Sequence, residues 1–307
     1  MRNINNIYKI IKDYRSEDNN GIGMVDRDRI EKWITQFKID DRQFILDETL
    51  HLLKNRYLPK SNIEKNLLGA IKTMAKSYDN STDLKKFLSN AVFLDQQPPG
   101  KSQGIILDLI KNSIKKNFQI DIASSNLDKI NEHSSSDFIY FDDVLCTGNT
   151  FYQDISEFLQ KLDKNGNQYF RELIDNKIHL HCCFIFLHLL NKDKKMTQLK
   201  IQVSDELYDH DNFHYYAKKS IDNYSNGNME MLIPQGLNQS ELVISYKDKI
   251  NNQVDEYIKG RYYRAEEYYR KPDSPQSETF FTNRSSRDRY TNTVSYTHLT
   301  LPTKRIV

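Results

Sequence analysis

Two adjacent carboxylates, Asp142 and Asp143, stand between an apolar run at 138–141 (FIYF) and a segment of small and hydroxyl residues, Cys146-Thr147-Gly148-Asn149-Thr150. Neighbouring carboxylates of this kind accept from sugar hydroxyls or hold Mg²⁺. A glycine in a short turn that opens a helix lets backbone N–H groups and the positive end of the helix dipole converge on a phosphate monoester. The four bulky apolar residues read as a buried parallel strand that ends at the acidic pair. A helix follows, because Phe151, Ile155, Phe158, Leu159 and Leu162 recur at the 3.6 period. Strand, acidic pair, small-residue loop and helix, in that order, make a site for a sugar phosphate.

A second stretch has the same construction. The apolar residues at 91–94 (AVFL) precede the loop DQQPPGKSQG at 95–104, and a helix is expected from 105 to about 116. Gly100, Lys101, Ser102 and Gly104 bring a cation, a hydroxyl and close backbone approach to a helix start. Gly-Lys-Ser is also the end of a P-loop, but that pattern needs a glycine five residues before Gly100, where Asp95 stands. Pro98 and Pro99 remove two further backbone donors. The loop is therefore a phosphate contact outside the P-loop pattern.

These two loops need elements to hold them. Residues 1–88 read as helical, with one stripe at Ile30, Trp33, Ile34 and Phe37 and a second at Phe44, Ile45, Leu52, Leu53 and Tyr57. Asp40 and Asp41 are expected to cap between them. A third helix carries Ile63, Leu67, Leu68 and Ile71, and a short fourth covers 83–88. Trp33 belongs to a core stripe. Beyond 89 strands and helices alternate, with strands expected at 91–94, 118–123, 138–141, 178–188 and 199–203, and one more at 241–246. Alternation of this kind predicts an α/β fold: a mainly parallel sheet flanked by helices, preceded by the helical segment, with ligands at the carboxyl ends of the strands. His179, His181 and Cys183 share one face of a strand, spaced too widely to chelate one ion, and are assigned to core packing. His210 and His214, with no further ligand pattern around them, are assigned to a loop or to the substrate side.

Composition bounds the rest. The 307 residues carry a net charge of +2, with 28% charged and 38% hydrophobic residues. From Arg261 onward nine Lys or Arg face five Asp or Glu, so the basic excess is confined to the tail and the body carries no nucleic-acid signature. Three cysteines, Cys146, Cys182 and Cys183, make no disulfide framework, which points to a reducing cytoplasmic compartment. The N-terminus lacks a signal-peptide core, and the run at 178–190 is too short to span a bilayer and holds three histidines, so no membrane association is expected. Three segments are expected: helical 1–88, an α/β core at 89–255, and a basic tail rich in Tyr, Ser and Arg at 256–307. The tail has few aliphatics and is expected to be disordered and dispensable for folding. Residues 294–307 (VSYTHLTLPTKRIV) are out of character with the rest and read as sequencing-adapter read-through.

The stretch at 138–150 resembles the ribose-5-phosphate signature of the type I phosphoribosyltransferases, with Tyr140 where a smaller aliphatic is common and Cys146 where Ser, Thr or Ala is common. Neither is expected to carry chemistry. Together with Trp33, Gln36-Phe37, the Gly-Lys-Ser loop and Asn251-Asn252, the chain resembles the phosphoribosyltransferase-like domains of bacterial conflict systems, including retron-type antiphage loci. Those domains tend to place a proline before the paired Asn, where Ile250 stands here. The resemblance implies a phosphoribosyl pyrophosphate or nucleotide ligand, Mg²⁺ as cofactor, and transfer of the phosphoribosyl group with release of pyrophosphate. In its terms Asp142 and Asp143 hold the ribose hydroxyls and Mg²⁺ and face the cationic sugar. Thr147, Gly148, Asn149 and Thr150 bind the 5-phosphate, and Lys101, Ser102 and Gly104 meet the pyrophosphate. The alternatives are a non-catalytic sensor of a phosphoribosyl metabolite or nucleotide, and a nucleic-acid-associated partner protein. A defence-system partner, protein or nucleic acid, belongs to the same implication.

Overall fold

The computed structural model describes residues 2–14, 25–77, 84–133, 135–207, 211–221, 278 and 280–300. The chain divides into two compact units, one of residues 1–60 with 225–307 and one of 61–224.

The described residues of the first unit are mainly helical. They include α1 (Arg2–Ile11), α2 (Arg27–Ile34), α3 (Ile39–Arg56) and, from the far end of the sequence, α10 (Arg284–Thr300). Ile4, Ile7, Ile30, Ile34, Phe37, Ile45, Leu46 and Leu50 form its core, with Trp33 packed against them. Helix α2 starts at Asp26, whose side chain accepts from Arg29 N–H, and Arg42 closes its far end by donating to Phe37 and Thr35 carbonyls. Asp40 and Asp41 lie inside the first turn of α3 rather than at its cap, which is Lys38. There they complement the helix dipole. The tail expected to be disordered contains α10, and residues in and next to it reach back to α3: Thr282 N–H donates to Glu48, and Tyr290 shares a hydrogen bond with Thr49. Short of aliphatics, it buries Arg287 through an ion pair with Glu278 and the Phe281 ring, and half-buries Tyr290.

Among the described residues the second unit is built on five parallel strands in the order β2-β1-β3-β4-β5: β1 (Ala91–Leu94), β2 (Ala123–Ser125), β3 (Asp137–Leu145), β4 (His179–His188) and β5 (Phe213–Ile221). Helices α4 (Lys60–Ser77, of which residues 61–77 belong here) and α5 (Leu84–Asn90) precede β1. Helix α6 (Ser102–Phe118) joins β1 to β2, α7 (Asn149–Gln160) and α8 (Tyr169–Ile174) join β3 to β4, and α9 (Leu189–Gln202) joins β4 to β5. Helices α4 and α5 thus belong to the sheet unit, although their helical pattern groups them with the N-terminal segment in the sequence.

Right-handed crossovers put helices on opposite faces when the chain changes direction across the sheet, and it does so after β2, passing β1 to reach β3. One face packs Phe138, Tyr140, Leu180, Cys182 and Phe184 against Phe151, Ile155, Phe158 and Leu159 of α7, Leu173 of α8 and Leu199 of α9. Each such phenylalanine contributes about 2 to 3 kcal/mol by leaving water. The other face carries Phe93 and Phe141, edge to face at 5.0 Å, with α6 packed on β3.

Two expected strands are corrected. Residues 118–123 do not form one, because α6 runs through Phe118 and ends at Gln119 in the left-handed conformation, leaving a short β2 at 123–125. Residues 199–203 close α9, and the fifth strand begins instead at Phe213, so His214 lies within it. The expected strand at 241–246 and the Asn251-Asn252 pair fall outside the described residues. On β4, His181 is 0% exposed and its Nε2 sits 3.3 Å from Asp137 Oδ1, while its ring stacks on His214 at 5.0 Å. Among the described residues no group of three or more His, Cys, Asp or Glu could hold a metal ion. No helix among them is long and apolar enough to cross a membrane.

Candidate functional site

Strands β1 and β3 are neighbours whose connections leave in opposite directions, α6 toward β2 and α7 toward β4. The crevice above such a switch point is where an open parallel sheet binds its ligands. Both acidic residues and both candidate loops lie at the carboxyl ends of these two strands.

Strand β3 does not stop at Phe141. It runs through the acidic pair to Leu145, and the period of two turns the two carboxylates to opposite faces. Asp142 lies on the α7 side and is 6% exposed. Its Oδ1 accepts from the Ser102 hydroxyl at 3.0 Å and from Asp143 N–H at 2.9 Å, and its Oδ2 accepts from Gln97 Nε2 at 3.2 Å. The Tyr140 hydroxyl lies 3.4 Å from that Oδ2 and donates to Asp154 Oδ2 at 2.8 Å. Burial pushes the Asp142 carboxyl up to about 6, the Asp143 charge adds to the rise, and the bonds from Asp143 N–H and Ser102 oppose it. Burial also raises Asp154 and, together with both carboxylates, raises Tyr140 well above the ordinary phenol. Asp143 is half-buried and its Oδ1 accepts from Val144 N–H at 2.7 Å. Asp142 is built into a network, and the half-buried Asp143 carboxyl lies close enough to hydrogen-bond with it and push it further up.

The loop after β1 is folded around a side chain that sequence reasoning missed. Gln103, 0% exposed, accepts at Oε1 from the N–H groups of Gln96 and Gln97 and donates from Nε2 to the Phe141 carbonyl at 3.2 Å. It locks the loop to β3 and aims Gln97 at Asp142 and Asp154. Gly100 takes a positive φ of 88°, and Lys101, exposed, is the N-cap of α6 without a side-chain cap bond. Ser102 opens the helix on Asp142, and Gly104 lies in its first turn.

The loop after β3 ends at Gly148, which has φ 74° and is the N-cap of α7, again with no side-chain cap. A helix start leaves its first N–H groups in need of acceptors, and here the cap residue has no side chain to supply one. Thr147, Asn149 and Thr150 are exposed around it. From α9, Asn191 Nδ2 donates to the Cys146 carbonyl at 2.6 Å, and Lys195 Nζ donates to Asn149 Oδ1 at 2.6 Å.

The structure thus joins Ser102 to Asp142, gathers 147–150 around one helix start, and leaves Lys101 at a second. Gln97, Gln103, Tyr140, Asp154, Asn191 and Lys195 are site residues that the sequence pattern does not single out. Only Tyr140 carries a signal, as the departure from the small aliphatic; expected to be silent, it sends its hydroxyl across the site. A comparison with curated proteins finds no match. Residues 30–294 match the protein family PRTase-CE, and the chain belongs to this family of phosphoribosyltransferase-like proteins.

Proposed function

We propose that the protein binds 5-phosphoribosyl pyrophosphate above β1 and β3 and transfers the phosphoribosyl group to an acceptor. The observation that carries this is the start of α7: an uncapped helix N-terminus, opened by a positive-φ glycine, at the switch point of a parallel sheet. The 5-phosphate sits on the N–H groups and hydroxyls of 147–150. Lys101 and the uncapped start of α6 meet the pyrophosphate. In the reaction the bond from C1 to the pyrophosphate oxygen breaks, the electron pair leaves with pyrophosphate, and C1 bonds to the acceptor nucleophile. Asp143 faces the positive charge that builds on the ring.

Mg²⁺ fits this site through Asp143 rather than through the pair. Asp142 already receives a hydroxyl, an amide and a backbone N–H, and a carboxylate so bonded is a poor ligand. Mg²⁺ needs only one or two carboxylates beside substrate oxygens, and when bound it neutralises the leaving pyrophosphate. Asp142 instead ties Ser102 to the end of β3.

The same internal satisfaction of Asp142 favours a second reading, a sensor that binds the donor without turnover. Calorimetric titration of 5-phosphoribosyl pyrophosphate with and without Mg²⁺, beside a pyrophosphate-release assay, separates the two. Thr147→Asp puts a like charge in the cradle and should abolish binding of 5-phosphorylated ligands while sparing nucleosides. Asp143→Asn should cut donor affinity or turnover sharply with little change in stability. If both variants bind the donor as the wild type does, the proposal falls. An antiphage role, implied by the resemblance, predicts that Thr147→Asp removes any protection the gene gives in a plaque assay.

A further inference from the structure

The loop between β3 and α7 lies against the start of α9. Strand β4 ends at His188, whose Nδ1 caps α9 by accepting the Asn191 N–H at 3.3 Å, and this fixes Asn191 in the first turn of the helix. From there its side-chain amide donates to the Cys146 carbonyl at 2.6 Å. The loop backbone comes in close beside it: a β-carbon at Gly148 would stand 2.8 Å from the Lys195 side chain and 3.2 Å from that of Leu145.

The bond from Asn191 decides which way one peptide group faces. A trans peptide is planar, with its C=O and N–H pointing in opposite directions, so pinning the Cys146 carbonyl also aims the Thr147 N–H. Helix α9 follows β4, and β4 lies on the far side of β3 from β1. A carbonyl turned to α9 therefore turns its N–H toward β1, the side of the crevice. That N–H takes no backbone acceptor among the described residues, and the exposed Thr147 stands one residue before the Gly148 cap of α7. Turned the other way, the same peptide would put a carbonyl oxygen, with its partial negative charge, at the mouth of the loop, where it would repel an anion.

We propose that Asn191 is the positioning residue of this loop, holding the Cys146–Thr147 peptide so that the Thr147 N–H joins those at the start of α7 on a phosphate monoester; this rests on the assignment of the 5-phosphate to 147–150. The Asn149 and Thr150 N–H groups are aimed by the helix itself. The N–H at 147 lies outside the helix and takes its direction from Asn191. The asparagine acts through the peptide and does not itself touch the ligand.

The test is calorimetry with ribose 5-phosphate and ribose as probes, joined to amide NMR of the loop, on the wild type, Asn191→Ala, Asn191→Gln and Thr147→Asp, each with a melting curve. In the wild type, ribose 5-phosphate should shift the Thr147, Asn149 and Thr150 amide signals. Asn191→Ala should lose about 10-fold in affinity for ribose 5-phosphate, the scale of one hydrogen bond to a charged group, and leave any binding of ribose unchanged. Its Thr147 shift should collapse while those of Asn149 and Thr150 persist, and Asn191→Gln, which keeps an amide donor, should restore part of both. A residue that only stabilised the loop would weaken the three shifts together. If Thr147→Asp abolishes binding but Asn191→Ala keeps the Thr147 shift, or loses all three shifts together, the Asn191 assignment is overturned and the cradle stands. If Thr147→Asp binds ribose 5-phosphate normally, or the wild type does not bind it, both are overturned. If Asn191→Ala does not fold, Asn191→Asp, which keeps the shape and cannot donate, is read in its place with the same expected shifts; if neither folds, Asn191 is structural and the assignment is overturned.

Discussion

The Ser102 hydroxyl donates to Asp142 Oδ1 at 3.0 Å, and this bond joins the first turn of α6 to the end of β3. Two loops that leave the sheet in opposite directions are thereby one site. Ser102→Ala removes a donor from a buried carboxylate and should lower stability by about 1 to 2 kcal/mol, read from denaturant unfolding. It should also move the Asp142 titration, followed by carboxyl NMR, further up, since the Ser102 bond opposes the effect of burial.

Gln103 and Gln96 lie on the same segment and should respond in opposite ways. Gln103→Leu leaves the N–H groups of Gln96 and Gln97 and the Phe141 carbonyl without their partner, which costs about 2 to 4 kcal/mol. The side-chain amide of Gln96 is buried at both Nε2 and Oε1 with no hydrogen-bond partner among the described residues. Gln96→Met, of similar shape, should stabilise the protein by about 1 kcal/mol. Equal losses from both substitutions would show that the loop is not organised around Gln103.

The two faces of the sheet should impose opposite pH dependences. Burial lowers His214 to about 4, with His181 and His179 adding to the drop and Asp137 and Asp211 opposing it. A histidine depressed below its unfolded value binds fewer protons when folded, so its contribution is full above the unfolded range near ~6.5 and is lost as pH falls toward 4. Asp142, raised to about 6, works the other way: its ionisation is disfavoured by the fold, so stability is lost as pH rises from about 4 through 6. Measured by unfolding at pH 4.5 and 7.5, His214→Gln should be relatively stabilised at the acid end and Asp142→Asn at the neutral end. Parallel shifts at both pH values would rule out either residue as the source.

The C-terminal helix should matter to stability. Arg287 is 0% exposed, its guanidinium pairs with Glu278, with Nη2–Oε1 at 2.7 Å, and lies 5.2 Å from the Phe281 ring. Deleting residues 278–307 should lower Tm by more than about 5 °C, against the sequence expectation of a dispensable tail. An unchanged melting curve would return the tail to that expectation.

Much of the architecture was legible where one kind of residue dominates. The apolar run at 138–141 declared a buried strand, and Phe151, Ile155, Phe158 and Leu159 declared the helix beyond it. Residues 199–203 failed as a strand because a short apolar run has no period of its own, and neighbouring turns settle its state. Strand β5, with His214, Tyr215 and Tyr216 in place of aliphatics, gave no such run. In the site, residue type and spacing located the loops but not the network between them. That Gln103 reaches Phe141, or that Lys195 reaches Asn149, depends on long-range packing, which no local pattern records. The tail misled for a related reason: a low aliphatic content signals disorder unless aromatic and guanidinium groups bury together, as Phe281 and Arg287 do.

Helix α10 belongs to the same compact unit as α1, α2 and α3, although all five described strands of the parallel sheet are encoded between them. During synthesis the sheet unit therefore emerges complete while the helical unit still lacks its last member. The contacts that α10 makes with α3 can form only after more than two hundred residues beyond residue 60 have left the ribosome. The order of folding is thus inverted relative to the order of the chain: the inserted unit can mature first, and the N-terminal helices last.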